Sequence, residues 1–160
     1  MTDYKELYGS QQWQEVNKCF CCGPNNPIGL KLAIKHKGDI TYTTFTPRLE
    51  HSGWLNMMHG GLLTTIMDEV MGHWLWSRGN PAMTVEMTTR YLKPVPIGEP
   101  LVVTARQQVD RGRLANMQAE ITLADGTQVA KATAKFIKTE KGLQIESGKG
   151  NVDNEEKSMS

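Results

Sequence analysis

The segment HGGLLTTIMDEV, residues 59–70, brings two kinds of chemistry into one short stretch. Gly60 and Gly61 carry no side chains, so a ligand oxygen can come close to the backbone N–H groups that open the helix after them. Those first N–H groups lack intrahelical partners and carry the positive end of the helix dipole, a setting that suits a developing oxyanion. A bare Gly-Gly more often serves only close packing, so the pair acquires meaning from the two acidic residues further along the helix. Asp68 and Glu69 place carboxylates in a run that is otherwise apolar. A carboxylate held partly out of water has its pKa raised towards that of a general base.

The spacing limits how the two can cooperate. Gly60 and Asp68 stand roughly 12 Å apart along one helix axis. A reacting carbonyl must lie ~3 Å from its oxyanion donor and close to the activating group. One helix cannot supply both. Two helices laid antiparallel in a two-fold dimer can, giving two composite sites. In helical projection Asp68 neighbours Thr64, Thr65 and Gly72, small residues that admit a second chain or a ligand, with Leu75 near by. Leu62, Leu63, Ile66, Met67, Val70, Met71 and Trp74 form a broad apolar arc suited to packing on a sheet. Glu69 projects elsewhere, which makes Asp68 the candidate base.

The elements that must hold this helix are legible as period-two segments. The helix is predicted from about Gly60 to Ser77, closed by Gly79 and Pro81. Before it, GLKLAIKH alternates Leu30, Leu32 and Ile34 with Lys31 and Lys35, and DITYTTFT forms a second strand after a Lys37-Gly38-Asp39 turn. After it, AMTVEMTTRYL alternates Met83, Val85, Met87 and Tyr91. LVVTARQQVD and LANMQAEITLAD flank an Arg111-Gly112-Arg113 turn, and Asp125-Gly126 leads into QVAKATAKFIK. Two strands, one long helix and four strands joined by short turns predict an α+β fold, a curved antiparallel sheet wrapped around one central helix. Residues 1–18 read as an N-terminal helical segment weakened at Gly9 and Ser10, residues 19–138 as the main domain, and residues 139–160 as a flexible charged tail.

Bulk properties narrow the function classes. Eighteen Lys and Arg against 17 Asp and Glu give a net charge of +1, without the basic footprint of a nucleic-acid binder. No apolar run reaches the ~20 residues of a membrane span, and the N-terminus lacks the core of a signal peptide. Cys19, Cys21 and Cys22 cluster rather than spacing out as a secreted disulfide framework does. A cytoplasmic protein with neither nucleic-acid nor membrane partners is expected.

Taken in order, CFCCGPNNPIGLKL, the His59-Gly60-Gly61 turn, Asp68 in HGGLLTTIMDEVMG, Thr84 in MTVEMTTRYLKPVPIGEPL, and DGTQVAKATAKF resemble the hotdog-fold acyl-CoA thioesterases, in particular the phenylacetate-pathway-type group. The resemblance covers roughly Cys19 to Lys138. It implies a homodimer with joined sheets, an interfacial active site, and pairing of dimers into a homotetramer left open. It implies Asp68 as general base on water or as nucleophile through a mixed anhydride. It gives Gly60 as the N–H that polarises the carbonyl, and Thr84 as the hydroxyl that places carboxylate or water. His59 would shape the loop and contact the thioester.

Gly61, Asn56, Arg90 and Lys93 are further substrate-binding candidates, the last two, with Arg111 and Arg113, for coenzyme A phosphates. Such charges are by default solvated strand faces. Some relatives carry Asn or Gln in the loop before the His; here Gly53 stands at one such position, leaving Asn56 or His51 to substitute. Thr84 has the opposite strand parity from Met83, Val85 and Met87, so strict alternation aims it away from the core unless the strand is bulged or faces a partner.

No metal or cofactor is expected, because a thioester carbonyl is already electrophilic. Cys19-x-x-Cys22 has no second ligand pair in the sequence, so packing in an ordered loop is the favoured reading. Trp54, Trp74, Trp76 and the Met-rich segment 57–71 read as core or as the lining of an acyl pocket. The alternative function is a non-catalytic acyl-CoA binding or sensing protein on the same fold. A hydratase ranks lower, since it would pair Asp68 with a histidine and His73 projects towards the apolar arc.

Overall fold

A computed structural model describes Glu6 and residues 10–139. After a short helix α1 (Gln11–Val16), the chain forms β1 (Lys35–Lys37), β2 (Ile40–Phe45), the long helix α2 (Gly60–Ser77), β3 (Ala82–Tyr91), β4 (Leu101–Arg111), β5 (Leu114–Leu123) and β6 (Gln128–Lys138). The six strands make one sheet in the order β1-β2-β4-β5-β6-β3, with every neighbouring pair antiparallel. One helix against an antiparallel sheet is the expected architecture.

The inner face is set by alternation. Leu101, Val103 and Ala105 of β4, Ala115, Met117, Ala119 and Ile121 of β5, and Ala130, Ala132, Ala134 and Phe136 of β6 are buried in period two. Alanines dominate the middle of this face. Over it α2 lays Ile66, Met67, Val70, Met71 and Leu75, all fully buried. Large residues on the helix thus meet small ones on the sheet, as close packing requires. Gly72 passes over Phe136, where a Cβ would sit 3.9 Å from the ring. The helix stops at a Schellman turn: Asn80 N–H donates to Leu75 O and Gly79 N–H to Trp76 O, with Gly79 at φ +75°.

Three sequence expectations need correction. Leu75, left outside the predicted apolar arc, is fully buried, while Leu62, placed within it, is only half-buried. The apolar arc is therefore turned towards Leu75. The segment GLKLAIKH is a strand only in its last two residues, where β1 (Lys35–Lys37) begins. Leu30 and Leu32 are buried as the alternation implied, but their N–H groups donate to Phe20 O and Cys21 O, and Lys31 sits at φ +53°, outside the extended region. Trp54, finally, is 78% exposed. Trp74 and Trp76 are structural: their indole N–H groups donate to Asp39 O and Ala82 O. Of the N-terminal helical segment, α1 is present and Ser10 caps it by accepting from Trp13 N–H. The remainder before Ser10, Glu6 aside, lies outside the described residues, as does the charged tail beyond Thr139. No described helix is long and apolar enough to cross a membrane.

Phe136, 2% exposed, closes the core between Gly72 and the outer strands. Phe136→Ala is expected to lower unfolding free energy by about 3–5 kcal/mol in urea denaturation; a loss below about 1 kcal/mol would contradict this packing.

Candidate active site

The entry to α2 is built around His59. Its backbone is extended, and its ring Nδ1 accepts a hydrogen bond from Gly61 N–H at 2.9 Å, so a histidine does the work of an N-cap. His59 N–H donates to His51 O, and Leu62 and Leu63 N–H groups return to His59 O. Gly61, a candidate binder, therefore has its donor engaged. Gly60 N–H has no hydrogen-bond partner among the described residues. It is the open donor at the positive end of the helix. The ring of Tyr91 packs against the Gly60 Cα: a Cβ there would stand 3.3 Å from Tyr91 Cε1.

At mid-helix Asp68 is half-buried, and Thr84 Oγ1 donates to its Oδ1 at 2.7 Å. Burial pushes the Asp68 carboxyl above its ordinary value; the Thr84 hydrogen bond opposes that rise and the Glu69 charge adds to it. The contact depends on a β-bulge. β3 pairs with β6 as Thr84↔Phe136 and then Glu86↔Lys135, so Val85 is extra. Phe136, Ala134, Ala132 and Ala130 mark the inner face of β6, and their partners are Thr84, Met87, Thr89 and Tyr91. The bulge thus moves Thr84 onto the helix side. Met83 and Val85, expected on one face with Met87 and Tyr91, are instead each 54% exposed.

Between the two ends of the helix runs a polar seam that the sequence did not disclose. Thr64 Oγ1 lies 2.7 Å from the Tyr91 hydroxyl and donates to Thr89 Oγ1 at 3.2 Å. Its signal, once the bulge is known, is the shared face of Thr84, Thr89 and Tyr91. The seam links Gly60 to Thr84 and Asp68 along the sheet's outer edge strand.

The other candidates are held elsewhere. Asn56 is exposed at φ +60°, and its backbone carbonyl accepts from Ile97 N–H, so its side chain joins none of these contacts. His51 is buried, with Nδ1 accepting from Arg48 N–H and its ring against Phe45; it holds the loop. Gly53 permits a close approach, since a Cβ there would be 2.9 Å from His59 Cα. Arg90 pairs in register with Lys131 and lines an open cavity of about 520 Å³ on the sheet face away from the helix. Lys93 is exposed past the end of β3. Neither touches Asp68 or Gly60. His73 bonds Glu69, not Asp68, so the two residues of a hydratase are not brought together. Donors suited to a metal gather where Glu69 meets the cysteine loop.

Residues 55–130 match the profile of the Thioesterase superfamily. Acyl-coenzyme A thioesterase 13 of Homo sapiens is 32% identical over 90 residues, which cover 55% of this chain and 59% of that protein. The chain thus spans under two thirds of that relative's length. A crystal structure of a thioesterase superfamily protein superposes with a TM-score of 0.72 at 26% identity, covering 75% of this chain and 60% of the other. A hypothetical thioesterase from Streptococcus pneumoniae, crystallised with coenzyme A, gives 0.65 at 23% identity over 69% of this chain and 90% of that one. The fold is the hotdog fold of these thioesterases.

Because a methyl at Gly53 meets backbone rather than a flexible side chain, Gly53→Ala is expected to destabilise the chain by about 1–3 kcal/mol in thermal or urea unfolding. Unchanged stability would mean that the His59 loop is not held as described.

Proposed function

We propose that this chain, whose residues 55–130 match the Thioesterase superfamily, hydrolyses the thioester of an acyl-CoA to a free acid and coenzyme A. One observation carries the reading: a half-buried carboxylate, Asp68, oriented by Thr84 at 2.7 Å, on a helix whose first N–H, that of Gly60, is unpartnered. The named activity of the human relative and the coenzyme A in the pneumococcal structure support the substrate class.

The chemistry comes from the groups present. Thr84 donates to Oδ1 and leaves Oδ2 to take a proton from water, or to attack the carbonyl directly. The Gly60 N–H stabilises the oxyanion that forms. Coenzyme A leaves as a thiolate of modest basicity, so its departure asks little of a general acid. With ~12 Å between Gly60 and Asp68 along the helix, the two act on one carbonyl by coming from different subunits in this reading. An exposed ten-residue edge strand bearing Met83 and Val85 supports pairing of β3 with a second copy, since such edges seldom stay uncovered. His59 shapes the entry through its cap.

Asp68→Asn is expected to lower kcat for acyl-CoA hydrolysis by about 10²–10⁴-fold without unfolding the protein; wild-type kcat in this variant would end the assignment. Gly60→Pro removes the N–H at a position where proline suits a helix start, and should lower kcat by about 10²–10³-fold. When the two inactive variants are mixed and their subunits exchanged, half the dimers are mixed and each carries one intact site. About a quarter of wild-type turnover should therefore return. No recovery after verified exchange would place both groups in one chain's site.

A further inference from the structure

Glu69 leaves α2 on the flank opposite Asp68 and meets the loop CFCCG. Cys19 Sγ lies 3.4 Å from Glu69 Oε1. The sulfurs of Cys19 and Cys22 and a Glu69 carboxylate oxygen all fall within 4.8 Å of one another, and all three side chains are half-buried. His73, one turn along, puts Nε2 3.0 Å from the same Oε1. The helix thus supplies the donors that the Cys19-x-x-Cys22 pair lacks in the linear sequence.

The loop is shaped to present its sulfurs. Cys21 N–H points at Cys19 Sγ at 3.3 Å, and Asn17 Nδ2 donates to Cys22 Sγ at 3.3 Å while its Oδ1 accepts from Cys19 N–H. Gly23 N–H closes the turn on Cys19 O. A Cβ at Gly23 would lie 2.5 Å from Cys19 N and 2.6 Å from Cys19 O, so the turn admits no side chain there. The Cys21 sulfur contacts Cys19 and lies 4.0 Å from Thr65 O, outside the group of three mutually close donors. Two sulfurs and a carboxylate oxygen thus converge from two separate elements of the fold.

Geometry agrees. Tetrahedral zinc, with bonds of ~2.3 Å to sulfur and ~2.1 Å to oxygen, sets adjacent donor atoms roughly 3.5–3.8 Å apart, close to the 3.4 Å between Cys19 Sγ and Glu69 Oε1. We propose that Cys19, Cys22 and Glu69 bind a thiophilic divalent cation of the zinc class, with His73 the adjacent donor for the fourth position. Binding displaces the two thiol protons to solvent and changes no oxidation state. The ion would staple the loop carrying Leu30 and Leu32 to the middle of α2. Independently of any hydrolytic activity, it would add to folding stability.

The test is a cobalt(II) titration of the full chain, reduced, stripped with chelator and kept anaerobic. The expected result is one cobalt per chain, with a thiolate-to-cobalt charge-transfer band in the near ultraviolet and the strong visible bands of a tetrahedral site, both abolished by added zinc. Cys22→Ser and Glu69→Gln should weaken binding by about tenfold or more. Absence of the charge-transfer band in the wild-type chain would overturn the proposal, whatever the variants do. So would a Cys22→Ser chain that binds as wild type.

Discussion

The rotation of α2 about its own axis is the constraint on which the rest depends. Leu63, Ile66, Met67, Val70, Met71, Trp74 and Leu75 are buried together, and a helix with that stripe against a sheet has one rotational setting. Successive residues then leave the axis 100° apart. Asp68 emerges towards the edge strand β3 and reaches Thr84; Glu69 emerges towards the cysteine loop and reaches Cys19 and His73. Two adjacent carboxylates in an apolar run, puzzling as sequence, are two separate uses of the two flanks of one buried rod. Any repacking that turned the helix would move both together.

The edge strand supplies the second half of the geometry. Without the extra residue at Val85, the inner face of β3 would carry Val85 in place of Thr84, and Asp68 would look onto an alkyl group. With it, Thr84, Met87, Thr89 and Tyr91 form a row antiparallel to the helix, so that Thr84 meets Asp68 while Tyr91 packs against Gly60. The displaced apolar residues, Met83 and Val85, go to the outer face of the sheet's last strand.

Much of this was legible in the chain. Apolar periodicity and Gly79 bounded α2 to the residue, and glycine-containing turns separated the strands correctly, because both signals are local. The partial burial of Asp68 and the open Gly60 N–H at the His-Gly-Gly entry were likewise expected from residue types and spacing. What escaped depends on pairing across long separations. The bulge at Val85 exists only with respect to β6. Leu30 and Leu32 alternate like strand residues, yet their hydrogen-bond partners lie in the preceding loop rather than in a neighbouring strand. Glu69 is fifty positions from Cys19, so nothing in the linear order couples them. Leu75 was misplaced because a projection records angles and not how far a sheet curls around a helix.

The alanine floor beneath α2 has a mechanical corollary. Ala130, Ala132 and Ala134 face the helix from β6, and across the ladder they pair with Tyr91, Thr89 and Met87. At these three positions the clearance between the two layers is set by methyl groups, with little slack to absorb a bulkier side chain. Enlarging one of them would act as a shim, tilting the rod like a lever and displacing its distant carboxylates relative to their fixed counterparts. Sequence drift on this hidden surface would therefore shift the Asp68–Thr84 and Glu69–Cys19 contacts while the contacting residues themselves stay unchanged.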